Sequence, residues 1–164
     1  MKKSIYIVFL VVLMCACFIM SAYATSEPIN DEIIINKSIE YFDDGSYLEI
    51  IVAEENNGIA PYASTYNKSG TKSYNLKNSD GELLWTFTLK GTFTVNTGVS
   101  ATCTAATYTT SNIASGWSLY SASTSKSSNK AMADFVFKHK VLFVTTQTVE
   151  KSLTLTCDVN GNLS

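Results

Sequence analysis

The chain has no arginine among its 12 basic residues and a single histidine, His139. Arginine supplies the fork that grips carboxylate and phosphate and reads base edges, so no nucleic-acid partner is expected. One histidine rules out a zinc site built from several histidines. It also leaves a Ser-His-Asp hydrolase only His139 to use, and no G-x-S-x-G nucleophile elbow occurs. Prolines number two, and no stretch beyond the N-terminal segment shows helical periodicity. No cofactor motif is present, so none is expected.

The N-terminal segment is the one long apolar run. Lys2 and Lys3 precede Ile5 to Met20, and Ser21-Ala22-Tyr23-Ala24 ends it with small-x-small spacing. A charged start, a short apolar core and such an ending read as a secretory signal peptide over residues 1–24. The run is short for a membrane span of about 20 residues, so no transmembrane segment is expected in the mature chain. Cys17, in Met14-Cys15-Ala16-Cys17, is the alternative: a lipid anchor of the bacterial lipoprotein type. Phe18-Ile19-Met20 continue the apolar core where small or polar residues usually follow, which favours plain secretion.

Cleavage leaves two cysteines, Cys103 and Cys157. A pair in an exported chain predicts one disulfide, worth roughly 4 kcal/mol for so long a loop. Charge is uneven. Residues 25–55 hold nine acids and one lysine, Lys37, whereas residues 56–164 hold nine lysines and five acids. The expected organisation is therefore an acidic leader (25–55), a linker (56–70) with Gly58 and Pro61, and a β-domain (71–164). Within the leader, Asp44-Gly45 between two strand-like runs predicts a hairpin.

From Thr71 the pattern is all β. In "ELLWTFTLKGTFTVN", Trp85, Phe87, Leu89, Gly91, Phe93 and Val95 share one face and threonines with Lys90 share the other. Period two with one apolar face is a half-buried antiparallel strand, and Gly91 predicts a bulge or bend. Residues 130–149 hold one long or two short strands. The predicted core is Trp85, Phe87, Leu89, Phe93, Trp117, Phe135, Phe137, Leu153 and Leu155. The expected fold is an antiparallel β-sandwich stapled by the disulfide near Trp117. That pairing looks immunoglobulin-like, but too few residues follow Cys157 for another strand and Leu155 replaces the expected tyrosine, so strand order stays open.

Each candidate site has a plainer account. Asp158, Asn160 and Asn162 are spaced like calcium ligands. The EF-hand glycine and final glutamate are misplaced or missing, so Asn160-Gly161 reads as a turn and no metal is expected. The acid pairs Asp43/Asp44, Glu54/Glu55 and Asp80/Glu82 could serve glycoside hydrolysis, but all sit at turns or strand ends. Tyr62, Tyr66, Tyr74, Tyr108 and Tyr120 are candidates for facing a ligand, since sugar-binding sandwiches use exposed aromatic platforms.

The ordered set "YFDDGSYLEI", "SGTKSY", "GELLWTFTLKGTFTVNTG", "SATCT", Trp117, "SNKAMA" and "SLTLTCDVNGNLS" resembles an uncharacterised family of small secreted β-rich proteins from clostridia-like Gram-positive bacteria. The resemblance spans nearly the whole mature chain. It implies export and paired cysteines, and supplies no catalytic residues. In "SNKAMA", Ser128 takes the place of the family's glycine, which loosens the turn expected there.

Function is expected to be non-enzymatic binding outside the cell, to a protein, the cell surface or a glycan. The alternatives are a small hydrolase using His139 and an antagonistic, bacteriocin-like protein whose leader is removed. The residues name neither ligand nor oligomeric state. Intact-mass analysis of culture medium is expected to show a chain starting at Thr25; a start near Ala63 would favour the processed antagonist.

Overall fold

The computed structural model describes residues 32–55 and 64–164. The expected signal peptide, Cys17, Tyr62 and most of the expected linker lie outside the described residues. Eight strands follow in chain order: β1 (Glu32–Tyr41), β2 (Tyr47–Glu55), β3 (Thr65–Lys77), β4 (Leu83–Asn96), β5 (Ser100–Ser111), β6 (Trp117–Ser127), β7 (Lys130–Val141) and β8 (Val144–Thr156). They form two antiparallel sheets, ordered β1-β2-β3-β4-β5 and β6-β7-β8. Each strand pairs with its chain neighbour, and the chain changes sheet once, through residues 112–116. There Ala114 N–H donates to Leu84 O and Lys140 N–H donates to Gly116 O, both at 2.8 Å, which ties the crossing to both sheets.

The alternation of β4 explains the packing. Trp85, Phe87, Leu89, Phe93 and Val95 face inward and are fully buried, and the threonines between them face out. Ala131, Ala133, Phe135 and Phe137 of β7 do the same from the smaller sheet. Trp85 stacks on Phe137 with centroids 4.3 Å apart and planes 3° from parallel. Phe87 stacks on Phe135 at 4.0 Å and 14°. Trp117 meets Trp85 edge-on at 6.3 Å. Leu153 and Leu155 of β8 are buried in the same core.

Several expectations are corrected. The two-sheet antiparallel architecture holds, but its order is a plain meander, without the long return connections of an immunoglobulin domain. The disulfide is absent: Cys103 and Cys157 are free, buried thiols. The Cys103 thiol is turned to Ala105 O at 3.3 Å and the Cys157 thiol to Asp158 O at 3.6 Å. The cysteines still share one region. Their backbone N–H groups donate to the adjacent carbonyls of Ser128 and Asn129, at 2.7 and 3.0 Å, so they clasp the β6–β7 turn from two sides.

The acidic hairpin is no separate leader. β2 pairs with β3 from Tyr47–Lys77 to Glu54–Gly70, so β1 and β2 extend the larger sheet. Part of the expected linker, from Thr65 on, is strand β3. Gly91 stays in a regular strand: a methyl group there would lie 2.8 Å from the Phe93 ring and 3.1 Å from Ala131. Its role is close approach of the sheets, and the bulge falls next to it, where Thr92 pairs with Ala105 but Phe93 pairs with Cys103.

In the two-residue β6–β7 turn, Ser128 has φ = 51°. Glycine reaches that region without steric cost. Ser128→Gly is expected to raise unfolding stability by about 0.5–1 kcal/mol, read as a higher urea midpoint at unchanged m.

Candidate functional site

Four of the six carboxylates in the pairs suggested by sequence take structural partners. Glu54 pairs with the buried Lys68 and Glu55 with Lys90. Glu54 and Glu55 are successive strand residues and so face opposite sides of the sheet. Asp44 accepts from the Ser46 backbone at 3.0 Å and from the Ser46 hydroxyl, in that order of span closing the β1–β2 turn. Glu82 accepts from Asn78 Nδ2 at 2.8 Å across the β3–β4 turn.

His139 is equally engaged. Its Nδ1 shares a 2.8 Å hydrogen bond with the Thr146 hydroxyl, and its ring lies 5.2 Å from Trp117. On the other side of the ring, a methyl group at Gly116 would be 2.7 Å from Nε2. Nδ1 is thus committed to Thr146, Nε2 lies beside Gly116, and no carboxylate is bonded to either nitrogen.

Asp158 closes the C-terminal turn. Its Oδ1 accepts from the backbone N–H of Asn160 and of Asn162, and its Oδ2 from Asn162 Nδ2, all at 2.8 Å. Oxygens that face N–H donors are set for a turn and not for a cation. Among the described residues no group of three or more His, Cys, Asp or Glu side chains is placed to hold a metal. Leu163 is buried, bridges to Cys157, and anchors the last residues in the core.

Burial first, then the Asp158 carboxylate, pushes the Cys157 thiol up to about 11; nearby Lys68 opposes the shift. Burial also raises the Cys103 thiol. Little thiolate forms, so both sulfurs react slowly with oxidants.

The predicted ligand-facing tyrosines separate. Tyr66 is half-buried and donates to Asn160 O at 3.2 Å. Tyr74 packs edge-on against Phe135 at 6.2 Å. Tyr108 stacks on Phe87 at 5.2 Å and 10°. Tyr120 is the open one, 66% exposed, at the bulge between Leu119 and Ser121. Lys138 Nζ sits 3.3 Å from the centre of its ring and holds its orientation.

Beside Tyr120 the outer side of the smaller sheet carries an open groove of about 260 Å³. Ser121, Ser123, Asp134, Val136, Glu150, Lys151 and Ser152 are among the residues that line it. Register explains the gathering: Ser121 pairs with Val136 and Val136 with Glu150, while Ser123 pairs with Asp134 and Asp134 with Ser152. The Ser152 hydroxyl donates to Asp134 Oδ1. These residues are far apart in the chain, and none of the sequence patterns joins them. The one sequence signal is the alternation of β7, which turns Asp134 and Val136 outward because Phe135 and Phe137 go in.

A second feature lies at the end of the same sheet. Val141, Leu142, Phe143 and Val144 form the β7–β8 turn, with Leu142 87% and Phe143 99% exposed. Leu142 has φ = 46° and Phe143 φ = 70°, and Val141 pairs with Val144. This is a two-residue hairpin turn with both central residues left-handed, where Asn-Gly is the favoured sequence. Bulky residues there cost roughly 1–2 kcal/mol each.

These features define a class: an all-antiparallel two-sheet sandwich with a polar outer groove and an apolar hairpin tip. No family model, no curated protein and no solved structure matches the chain. Among the described residues no helix is long and apolar enough to cross a membrane.

The Asp158 carboxyl is held below its ordinary value, chiefly by the Asn162 side chain and then the Asn162 backbone N–H. A depressed folded-state pKa contributes stability that is present above the unfolded value, near 4, and is lost as pH falls through the folded value. The melting temperature is expected to drop below about pH 4, and to drop less in Asp158→Asn, as followed by circular dichroism.

Proposed function

We propose that this chain is an exported, non-enzymatic binding module whose outer groove takes a hydroxyl-rich ligand, a glycan of the cell surface or its surroundings. The observation that carries the reading is the groove itself, lined by serine hydroxyls, Asp134, Glu150 and Lys151, with Tyr120 next to Ser121 in the chain, 66% exposed and covered on one ring face by Lys138. Aromatic rings pack against the apolar faces of sugar rings, and carboxylates accept hydrogen bonds from sugar hydroxyls. Asp134 and Glu150 supply acceptors, and Ser121, Ser123 and Ser152 can donate or accept.

Export rests on the Lys2-Lys3 start, the Ile5 to Met20 run and the Ala22-Tyr23-Ala24 ending, and the resemblance to secreted clostridial proteins fits it. The non-enzymatic reading is supported by the hydrogen bond that holds His139 Nδ1 to Thr146 and by the structural partners of Glu54, Glu55, Asp44 and Glu82.

A glycan array followed by titration calorimetry tests the groove. Tyr120→Ala and Asp134→Asn are each expected to weaken binding about tenfold, the loss of one stacked ring or one charge-assisted hydrogen bond, at unchanged melting temperature. Absence of any glycan ligand, or unchanged affinity in Tyr120→Ala, would exclude the groove as the site.

A further inference from the structure

The geometry points to the β7–β8 tip as a docking element for an anionic lipid surface. Four apolar residues in a row, Val141-Leu142-Phe143-Val144, sit at a convex turn in the solvent. Folding gives no reason for them. The turn needs two left-handed residues, and leucine and phenylalanine are poor choices where asparagine and glycine would fit without strain. Such a choice is retained where exposed apolar surface is itself used.

Shape and charge identify the occupant. A protruding turn offers no concavity for another protein's side chains, but it can enter the interfacial region of a bilayer as an apolar wedge. Lys138 and Lys140 flank the tip on one face of β7, and no acid lies between Asp134 and Glu150. Cations directly behind an inserted apolar element match anionic headgroups. The acidic turns at the same end of the sandwich, with Asp43, Asp44, Asp80 and Glu82, belong to the larger sheet. They would be repelled by such a surface, so the smaller sheet leads and the larger one tilts away. This inference is independent of glycan binding in the groove and survives its failure.

The test uses the full chain with Phe143→Trp as a reporter, since Trp85 and Trp117 are both buried and supply a constant background. Local emission from the tip also separates its insertion from any partitioning of the N-terminal apolar run. With vesicles of equal phosphatidylcholine and phosphatidylglycerol a blue shift is expected, and with phosphatidylcholine alone little or none. Lys140→Gln is expected to raise the lipid concentration at half-shift roughly fivefold, and added salt should act in the same direction. In vesicle sedimentation Leu142→Asn with Phe143→Gly should lower partitioning at least about tenfold. The same double change should leave the melting temperature equal or higher, because Asn-Gly suits the turn. No shift with either vesicle, or equal shifts with both, overturns the proposal. So does self-association that the double change abolishes without any vesicle response, which would assign the tip to a second copy of this chain.

Discussion

The structure depends on aromatic stacking across the interior. Trp85 and Phe87 come from the larger sheet, Phe135 and Phe137 from the smaller, and the two near-parallel pairs lie at 4.3 and 4.0 Å. Each ring buries a large apolar area and gains contact energy beyond that area. Removing one such ring typically costs about 3–5 kcal/mol, a large part of the roughly 5–15 kcal/mol available to a domain. With the sheets joined this way, the sandwich needs no covalent staple. The cysteines instead act as small buried side chains on either side of the β6–β7 turn.

The same packing sets what remains outside. Because the inner faces take the large apolar side chains, β4 presents Thr86, Thr88, Thr92 and Thr94, and β7 presents Asp134, Val136 and Lys138, to the solvent. The five-stranded sheet is wider than its partner, so β1 is exposed along its whole length and is held by pairing to β2 and by side-chain bridges. Lys37 and Lys77 both reach Glu49, at 2.6 and 3.4 Å, and Lys151 reaches Glu40 at 2.7 Å, which ties β1 to β8 of the other sheet. The smaller sheet thus carries a polar groove on its outer side and an apolar point at its end.

Much of the fold was legible. Strict alternation in β4 announced a half-buried strand, and Asp44-Gly45 announced the β1–β2 turn. The β7–β8 turn was hidden for a physical reason. Hairpin turns are read from residues that tolerate positive φ, and Leu142-Phe143 carries none of that signal, so one long strand and two short ones looked alike. The reach of the larger sheet was hidden too, because the acidic composition of residues 25–55 suggested a separate leader. Glu49, Glu54 and Glu55 of β2 are met by lysines of β1, β3 and β4.

By itself the sequence determined the class of structure and the residues that fill it: period-two patterning commits a strand to one apolar face, whatever its partner. Register, sheet membership and the distance between the two sulfurs were decided only by tertiary packing. Pairing of Val136 with both Ser121 and Glu150 assembled a groove from residues with no local relation, and the stacking of four rings set the spacing of the layers. Alternation is a local property of the backbone, whereas which strands become neighbours is settled by the global burial of their apolar sides.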